Sequence, residues 1–289
     1  MHLVNIDLSH QMLLKDKFRL LKSEISEYSF ADLYLFRSIH HYQFLFEKEL
    51  FIKGITYTGE SFMMPTFPLD KHFPLDEIKL WLTEVDFLYP IQEEWLKYFD
   101  QSIFEFSSLE SESDYLYSIE KMRTYPGRAL SAKRNLVSQL FAEHKVDAHT
   151  LNDERIEDAL EVLEAWQKEQ TLQKEKSDYF PCKEAIQLLY DLQLTGTVFY
   201  VDDEPSGLII GETSSCNDFL VHFAKAKKSI KGLYQYIYQP LAEMLAHDNH
   251  RFINLEQDLG IPEVRHSKHS YKPDRIVKKW RVKLISGTA

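Results

Sequence analysis

The stretch that decides the fold is Phe252-Ile253-Asn254-Leu255-Glu256-Gln257-Asp258-Leu259-Gly260, and Lys268-His269-Ser270-Tyr271 follows it closely. A short apolar strand is expected to end there in a cluster of carboxylates, an amide and a glycine. Alternation along the strand puts Asn254 and Glu256 on one face. Because strand ends that open into polar loops commonly hold ligands, we expect a site here. Glu256 and Asp258 either orient and deprotonate an acceptor or cap the loop that follows.

Three apolar runs upstream predict strands at 197–201, 208–213 and Phe219–Ala226. Their short polar connections are typical of antiparallel hairpins. Helical periodicity predicts two helices before these strands and another over 233–246. A strand at 251–256, a loop or short helix, and a final strand at 275–285 complete the chain.

A basic turn joins the third strand to the following helix, with the sequence Lys225-Ala226-Lys227-Lys228-Ser229-Ile230-Lys231-Gly232. A glycine at a helix start lets backbone N–H groups approach a phosphate, and the lysines add positive potential. We expect Lys228, Lys231 and Gly232 to bind the phosphate of a donor. The alternative is a plain loop whose lysines are solvated.

Other side chains are candidates for the same chemistry. Tyr271 can donate a proton to a leaving group or serve as a core aromatic, and Lys268 can pair with a phosphate or a carboxylate. His222, Ser270 and Asn254 are candidate substrate-binding residues. A single histidine on a strand is also commonly a hydrogen-bonded structural residue.

Arg134 lies near the apolar stripe of a helix predicted over 129–145. A half-buried arginine needs a partner, so either a bound anion or a salt bridge between domains is expected. The spacings of the histidines and of Cys182 and Cys216 match no zinc-binding pattern, so no metal site is expected.

Composition limits the class of protein. The chain has 289 residues, of which 44% are hydrophobic, and two globular domains are expected. Its net charge of −11 argues against a general nucleic-acid coat protein, and no DNA partner is expected. No apolar run reaches the roughly 18 residues of a membrane span. Two cysteines without a disulfide pattern are typical of a cytoplasmic protein.

Basic residues concentrate near the C-terminus, where 262–283 contains eight lysines and arginines against two acids. A basic patch on an acidic protein favours a specific phosphate-bearing ligand. The alternative is a solvated basic edge strand that resists aggregation.

Six motifs, in chain order, resemble the landmarks of a bacterial family similar to the C-terminal catalytic domain of phosphatidylglycerol lysyltransferase. They are Ser29-Phe30-Ala31-Asp32-Leu33-Tyr34, Asp114-Tyr115-Leu116-Tyr117, Lys133-Arg134-Asn135, Lys231-Gly232-Leu233-Tyr234, Asn254-Leu255-Glu256-Gln257-Asp258-Leu259-Gly260 and Lys268-His269-Ser270-Tyr271. Members of this family resemble two tandem GNAT-like acyltransferase domains, as do the Fem-type peptidoglycan aminoacyltransferases. The resemblance implies an α+β (α/β) fold in which each domain is a mixed, mostly antiparallel sheet flanked by helices. The implied domains are 1–128 and 151–289, with a bridging helix in 129–150.

By the same resemblance, the protein is expected to transfer an acyl or aminoacyl group to an amine or a hydroxyl. Acyl-CoA or aminoacyl-tRNA would be the co-substrate, with no firmly bound cofactor and no transmembrane segment. The strand motif often reads His-Phe-Glu-Lys-Ala in relatives, whereas here it is His222-Phe223-Ala224-Lys225-Ala226. One alternative is therefore a GNAT-like protein that binds a metabolite or a protein partner without catalysis. Another is tRNA binding without transfer, which predicts a steep salt dependence.

Overall fold

The computed structural model describes residues 2–46, 49–70 and 75–285. The strands are β1 (His2–Asn5), β2 (Gln43–Phe46), β3 (Leu50–Ile55), β4 (Ser61–Pro65), β5 (Phe87–Ile91), β6 (Phe104–Ser108), β7 (Asp114–Ser118), β8 (Val146–Thr150), β9 (Thr195–Val201), β10 (Glu204–Thr213), β11 (Phe219–Ala226), β12 (Phe252–Asn254), β13 (Arg275–Val277) and β14 (Trp280–Leu284). The helices are α1 (Gln11–Leu21), α2 (Phe30–Leu35), α3 (Arg37–His40), α4 (Leu75–Trp81), α5 (Ile119–Thr124), α6 (Ser131–Glu143), α7 (Ile156–Lys168), α8 (Tyr179–Gln187), α9 (Leu233–Tyr236), α10 (Tyr238–His247) and α11 (Pro262–Ser270). None of the helices within these ranges is both long enough and apolar enough to cross a membrane.

The chain forms two compact units, and each is assembled from separate segments. The first unit contains the described residues up to Tyr115, the segment Gln257–Ser267 and the described residues from Ile276 onward. The second contains Leu116–Glu256 and Lys268–Arg275. The predicted boundaries of 1–128, 129–150 and 151–289 divide the chain into continuous segments. The compact units are defined by contacts in space, so these domain boundaries stay a prediction.

The sheet of the first unit has the strand order β1-β2-β3-β4-β5-β14-β6. Its β4 and β5 run parallel, with Phe62 opposite Phe87. The C-terminal strand β14 lies between β5 and β6 and is antiparallel to both. The last strand of the chain is therefore an interior strand of this sheet.

The sheet of the second unit has the strand order β13-β7-β12-β11-β10-β9-β8. The expected antiparallel strands at 197–201, 208–213 and 219–226 are confirmed as β9, β10 and β11. Their burial is nearly continuous in β10 and β11, because helices of this unit cover the sheet. Strand β12 runs parallel to β11 and antiparallel to β7.

The two sheets share one strand order. Read from β1 and from β8, each runs through four consecutive strands to a parallel pair, β4–β5 in one and β11–β12 in the other. The next position is filled from a distant segment, by β14 in the first sheet and by β7 in the second. The predicted fold class, two tandem GNAT-like domains with mixed sheets flanked by helices, is confirmed.

The prediction of one final strand over 275–285 is wrong. The segment divides into β13 and β14, which belong to different sheets. Lys279 lies between them and is fully buried, with its Nζ 2.6 Å from Glu27 Oε2 and 2.7 Å from Asp114 Oδ1. At this break the ammonium turns inward to two carboxylates far away in the sequence.

Both interpretations of the basic C-terminal segment fail for the four of its eight cations that form ion pairs with carboxylates of the first unit, and they stay predictions for the other four. Four of its cations pair with carboxylates of the first unit, namely Arg265 with Asp258, Lys279 with Glu27 and Asp114, Arg281 with Glu112 and Glu60, and Lys283 with Glu105. These charges are neutralised within the unit. They form neither an open phosphate patch nor a solvated edge strand.

Candidate active site at the end of β12

The site begins where β11 and β12 part. Their parallel pairing is limited to Phe219 with Ile253 and Leu220 with Asn254. Beyond it β11 continues to Ala226 without β12, still paired with β10 on its other side. Strand β12 ends at Asn254, and the chain turns at Glu256, whose φ of 58° is left-handed. Such a residue is uncommon outside glycine, so the turn is held by its surroundings.

His222 enters this gap through a β-bulge. In the β10–β11 ladder Gly211 pairs with Val221 and Ile210 pairs with Phe223, so His222 is the extra residue. A bulge of this kind re-aims a side chain and is common beside active sites. Gly211 permits it, since a Cβ there would lie 2.0 Å from the Leu220 carbonyl oxygen.

The His222 ring lies between two carboxylates of the same unit. Its Nδ1 is 2.7 Å from Glu256 Oε1, and its Nε2 is 3.2 Å from Glu212 Oε1. We call these three residues the Glu212–His222–Glu256 cluster. Burial disfavours the charged ring, but Glu256 and Glu212 outweigh it and hold the pKa of His222 well above its ordinary value. The ring therefore carries a proton on each nitrogen at neutral pH.

The three side chains of the cluster differ in how much of each is exposed to solvent. The His222 side chain is fully buried, Glu212 is 9% exposed and Glu256 is 16% exposed. Glu256 is thus the member that an incoming amine or hydroxyl reaches most easily.

Two neighbours fix the backbone of Glu256. The Glu256 N–H donates to Asn254 Oδ1 at 2.7 Å, and Asn254 itself is fully buried. Lys268 Nζ donates to the carbonyl oxygens of Leu255 at 2.6 Å and Glu256 at 2.9 Å. Of the residues predicted to hold a substrate or a phosphate, Asn254, Lys268 and His222 therefore gather around Glu256. In this arrangement the Lys268 ammonium binds the turn itself.

Asp258 belongs to the first unit, and several hydrogen-bond donors surround its carboxylate. It accepts bonds from Tyr115 Oη at 2.6 Å, from Arg265 Nε at 2.7 Å and from the Gly260 N–H at 2.8 Å. Burial raises the pKa of Asp258, but these donors outweigh it and the pKa is lowered. A carboxylate stabilised in this way is a weak base, which favours the loop-capping role.

Tyr271 lies in an aromatic cluster of the second unit. It is 3% exposed, and its ring contacts those of Tyr117, Tyr125 and Tyr238. Burial raises the pKa of its hydroxyl. These contacts favour the core-aromatic alternative, and its role as a proton donor stays a prediction. The neighbouring Ser270 hydroxyl accepts a bond from Lys133 Nζ at 2.7 Å.

The basic turn packs against α6. Gly232 has a φ of 90°, and a Cβ there would lie 2.3 Å from the Leu136 carbonyl oxygen, so helix packing alone requires glycine. Lys228 is engaged locally, with its N–H on Glu169 and its Nζ 3.0 Å from Gln170 Oε1. Lys231 is exposed. Phosphate binding at this turn stays a prediction.

Arg134 pairs with no carboxylate of the described residues 2–46, 49–70 and 75–285. Its guanidinium donates to the carbonyl oxygens of Tyr125 and Gly127, just beyond the C-terminal end of α5. Helix C-termini carry unpaired carbonyls and partial negative charge, which an arginine satisfies. The expected salt bridge is therefore replaced by a bond to the backbone.

Sequence reasoning missed Glu212. A usable signal was present, since Glu212 is the acid that directly follows the run Leu208-Ile209-Ile210-Gly211. The role of Glu212 could be predicted only with knowledge of the bulge. The bulge shifts the register between β10 and β11 and brings His222 to Glu212.

The sequence matches the family described as phosphatidylglycerol lysyltransferase, C-terminal, over residues 18–283. The chain belongs to this family. It is 27% identical over 212 residues to an uncharacterized protein of Mycoplasmoides gallisepticum, a match that covers 70% of this chain and 65% of that relative. The chain thus spans less than two thirds of that relative's length.

Solved structures agree on the fold. A conserved protein of unknown function from Bacteroides thetaiotaomicron is 23% identical, with a TM-score of 0.85 over 98% of this chain and 99% of that one. A tandem GNAT protein from the clavulanic acid biosynthesis pathway is 8% identical, with a TM-score of 0.50 over 98% of both chains. The family member described here therefore has a tandem GNAT-like fold, and the Glu212–His222–Glu256 cluster lies at the parallel strand pair of its second unit.

Proposed function

We propose that this protein transfers an acyl or aminoacyl group from an activated donor to an amine or hydroxyl acceptor, with Glu256 as the general base. The observation that carries the proposal is the Glu212–His222–Glu256 cluster at the parting of β11 and β12. Membership of a family described by an aminoacyl transfer supports the reaction class.

The chemistry follows from the order of exposure in the cluster. Glu256 takes the proton of the acceptor as its nitrogen or oxygen attacks the carbonyl carbon of the donor. The new C–N or C–O bond forms, the donor's C–S or C–O bond breaks, and the leaving sulfur or oxygen takes the proton from Glu256. His222 and Glu212 are positioning residues, because they hold the Glu256 carboxylate in one orientation through a charge-assisted hydrogen bond.

The donor is proposed to be acyl-CoA or aminoacyl-tRNA. The two are distinguished by incubating the purified protein with each donor and a set of amine and hydroxyl acceptors, followed by mass spectrometry of the products. We expect acyl transfer from one donor class. Absence of a product with both classes, while binding persists, would contradict the proposal.

The second candidate is a GNAT-like protein that binds a metabolite or protein partner without catalysis. The observation that favours it is the packing at Gly232. The nearby Leu136 carbonyl oxygen already requires a glycine there, so a bound phosphate is not needed to explain this residue. This candidate predicts that acyl-CoA or aminoacyl analogues bind measurably in calorimetry, while no product forms.

A further inference from the structure

Lys133 and Ser270 form a close pair in the second unit, apart from the residues of the Glu212–His222–Glu256 cluster. Lys133 lies on α6, and Ser270 is the last residue of α11. Lys133 Nζ is 2.7 Å from Ser270 Oγ and 4.0 Å from the centre of the Tyr271 ring. Both residues are half-buried.

The surroundings of Lys133 include no carboxylate partner among the residues that the structure describes. Within the part of the chain that the structure describes, no carboxylate oxygen lies within 4.0 Å of its Nζ. Burial accordingly lowers the pKa of Lys133. A half-buried lysine without a carboxylate is the type that proteins use as a proton acceptor.

A helix-capping role explains the pair less well. A lysine that caps a helix C-terminus donates to the free carbonyl oxygens of the last turn. Lys133 donates to the side-chain hydroxyl of Ser270. The separation of 2.7 Å lies within the range expected for a nucleophile and its base.

We propose that Ser270 is a nucleophile activated by Lys133 and that it accepts acyl groups from activated esters or thioesters. In its deprotonated form, the Lys133 amine takes the hydroxyl proton as Ser270 Oγ attacks the carbonyl carbon. The Oγ–C bond forms, the bond to the leaving oxygen or sulfur breaks, and Lys133 returns the proton to the leaving group. Serine–lysine pairs are an established alternative to the serine–histidine arrangement.

The test is covalent labelling of the full-length protein with a fluorophosphonate, read by intact mass and peptide mapping. The Ser270 oxygen displaces fluoride from phosphorus, and Lys133 takes the proton. We expect Ser270 to react at least about 10²-fold faster than Ser131, a half-buried serine on α6 whose hydroxyl donates to the Arg128 carbonyl oxygen. Equal rates at the two serines in the wild-type protein would overturn the proposal.

The variant Lys133→Arg distinguishes a lysine that acts as a base from one that only donates a hydrogen bond. Arginine keeps the positive charge and can donate to Ser270, but it cannot lose a proton. We expect this variant to lose at least about 10²-fold in labelling rate, and Ser270→Ala to lose the adduct. Wild-type labelling in a folded Lys133→Arg variant would contradict the role of Lys133 as the base. The adduct is detected by mass without turnover, so a failed transferase assay and a failed labelling assay are distinguishable.

Discussion

His222 shows how one residue couples the proposed chemistry to stability. Its folded-state pKa is raised well above the ordinary 6.5 by Glu256 and Glu212 despite burial. The folded protein therefore holds a proton that the unfolded chain releases above pH 6.5. The resulting stabilisation is complete below that pH and is lost as the pH rises through the folded-state pKa.

We expect the free energy of unfolding to fall by up to about 1.4 kcal/mol per pH unit above pH 6.5 from this group. Urea unfolding between pH 6 and 9 measures the slope. In Glu212→Gln one carboxylate no longer raises the pKa of His222, so the slope should end at a lower pH. A slope identical in both proteins would contradict the assignment.

Arg265 is the second residue whose role can be tested alone. It pairs with the fully buried Asp258, while its own side chain is 34% exposed. Replacing it with leucine leaves a buried carboxylate without its cation, and we expect a loss of about 3 kcal/mol in denaturant unfolding. The additional change Asp258→Asn should restore part of that loss, since no buried charge remains. A double variant as unstable as the sum of the single ones would contradict the pairing.

At the scale of elements, the turn before α9 is set by a glycine that packs against a helix. Gly232→Ala adds a Cβ 2.3 Å from the Leu136 carbonyl oxygen at a φ of 90°. Gly59→Ala is the matched control, because Gly59 has a φ of 88° and no atom within 4 Å of its added Cβ.

We expect Gly59→Ala to cost about 1–2 kcal/mol of unfolding free energy from backbone strain alone. Gly232→Ala should cost a further ~1–3 kcal/mol from the clash. Thermal and urea unfolding of the two variants provide the comparison. Equal losses would mean that α6 does not require the glycine.

The elements also show what the sequence could and could not predict. Strands β9, β10 and β11 follow from apolar runs and short turns, and the gap after Asn254 follows from the polar residues that end β12. The division at Lys279 could not be predicted, because its partners Glu27 and Asp114 lie far away in the chain and leave no local pattern. Glu212 and the partners of Arg134 were missed for the same reason, since a bulge and a helix end bring them to their contacts.

At the scale of the whole molecule, each sheet depends on a strand from a distant part of the chain. Strand β14 enters the first sheet between β5 and β6, and Lys279 directly precedes it. This ammonium is the cation that the buried carboxylates Glu27 and Asp114 share. Burial raises the pKa of Glu27, as expected where an unpaired charge is costly.

We expect Lys279→Met to cost about 3–5 kcal/mol of unfolding free energy, because two buried carboxylates lose their cation. Lys283→Met on β14 is the matched control, since Lys283 is 50% exposed and its partner Glu105 is 49% exposed. The control should lose less than about 1 kcal/mol. Similar losses in the two variants would contradict a central role for the Lys279 cluster.

The central claim is that Glu256 is the base of an acyl transfer, and steady-state turnover of Glu256→Gln tests it most directly. The comparison is made with wild type and with Glu161→Gln, an exposed glutamate on α7, using the donor that yields product. We predict that Glu256→Gln lowers kcat by about 10²–10⁴-fold and that Glu161→Gln leaves it unchanged. A folded Glu256→Gln protein with wild-type turnover would contradict the claim.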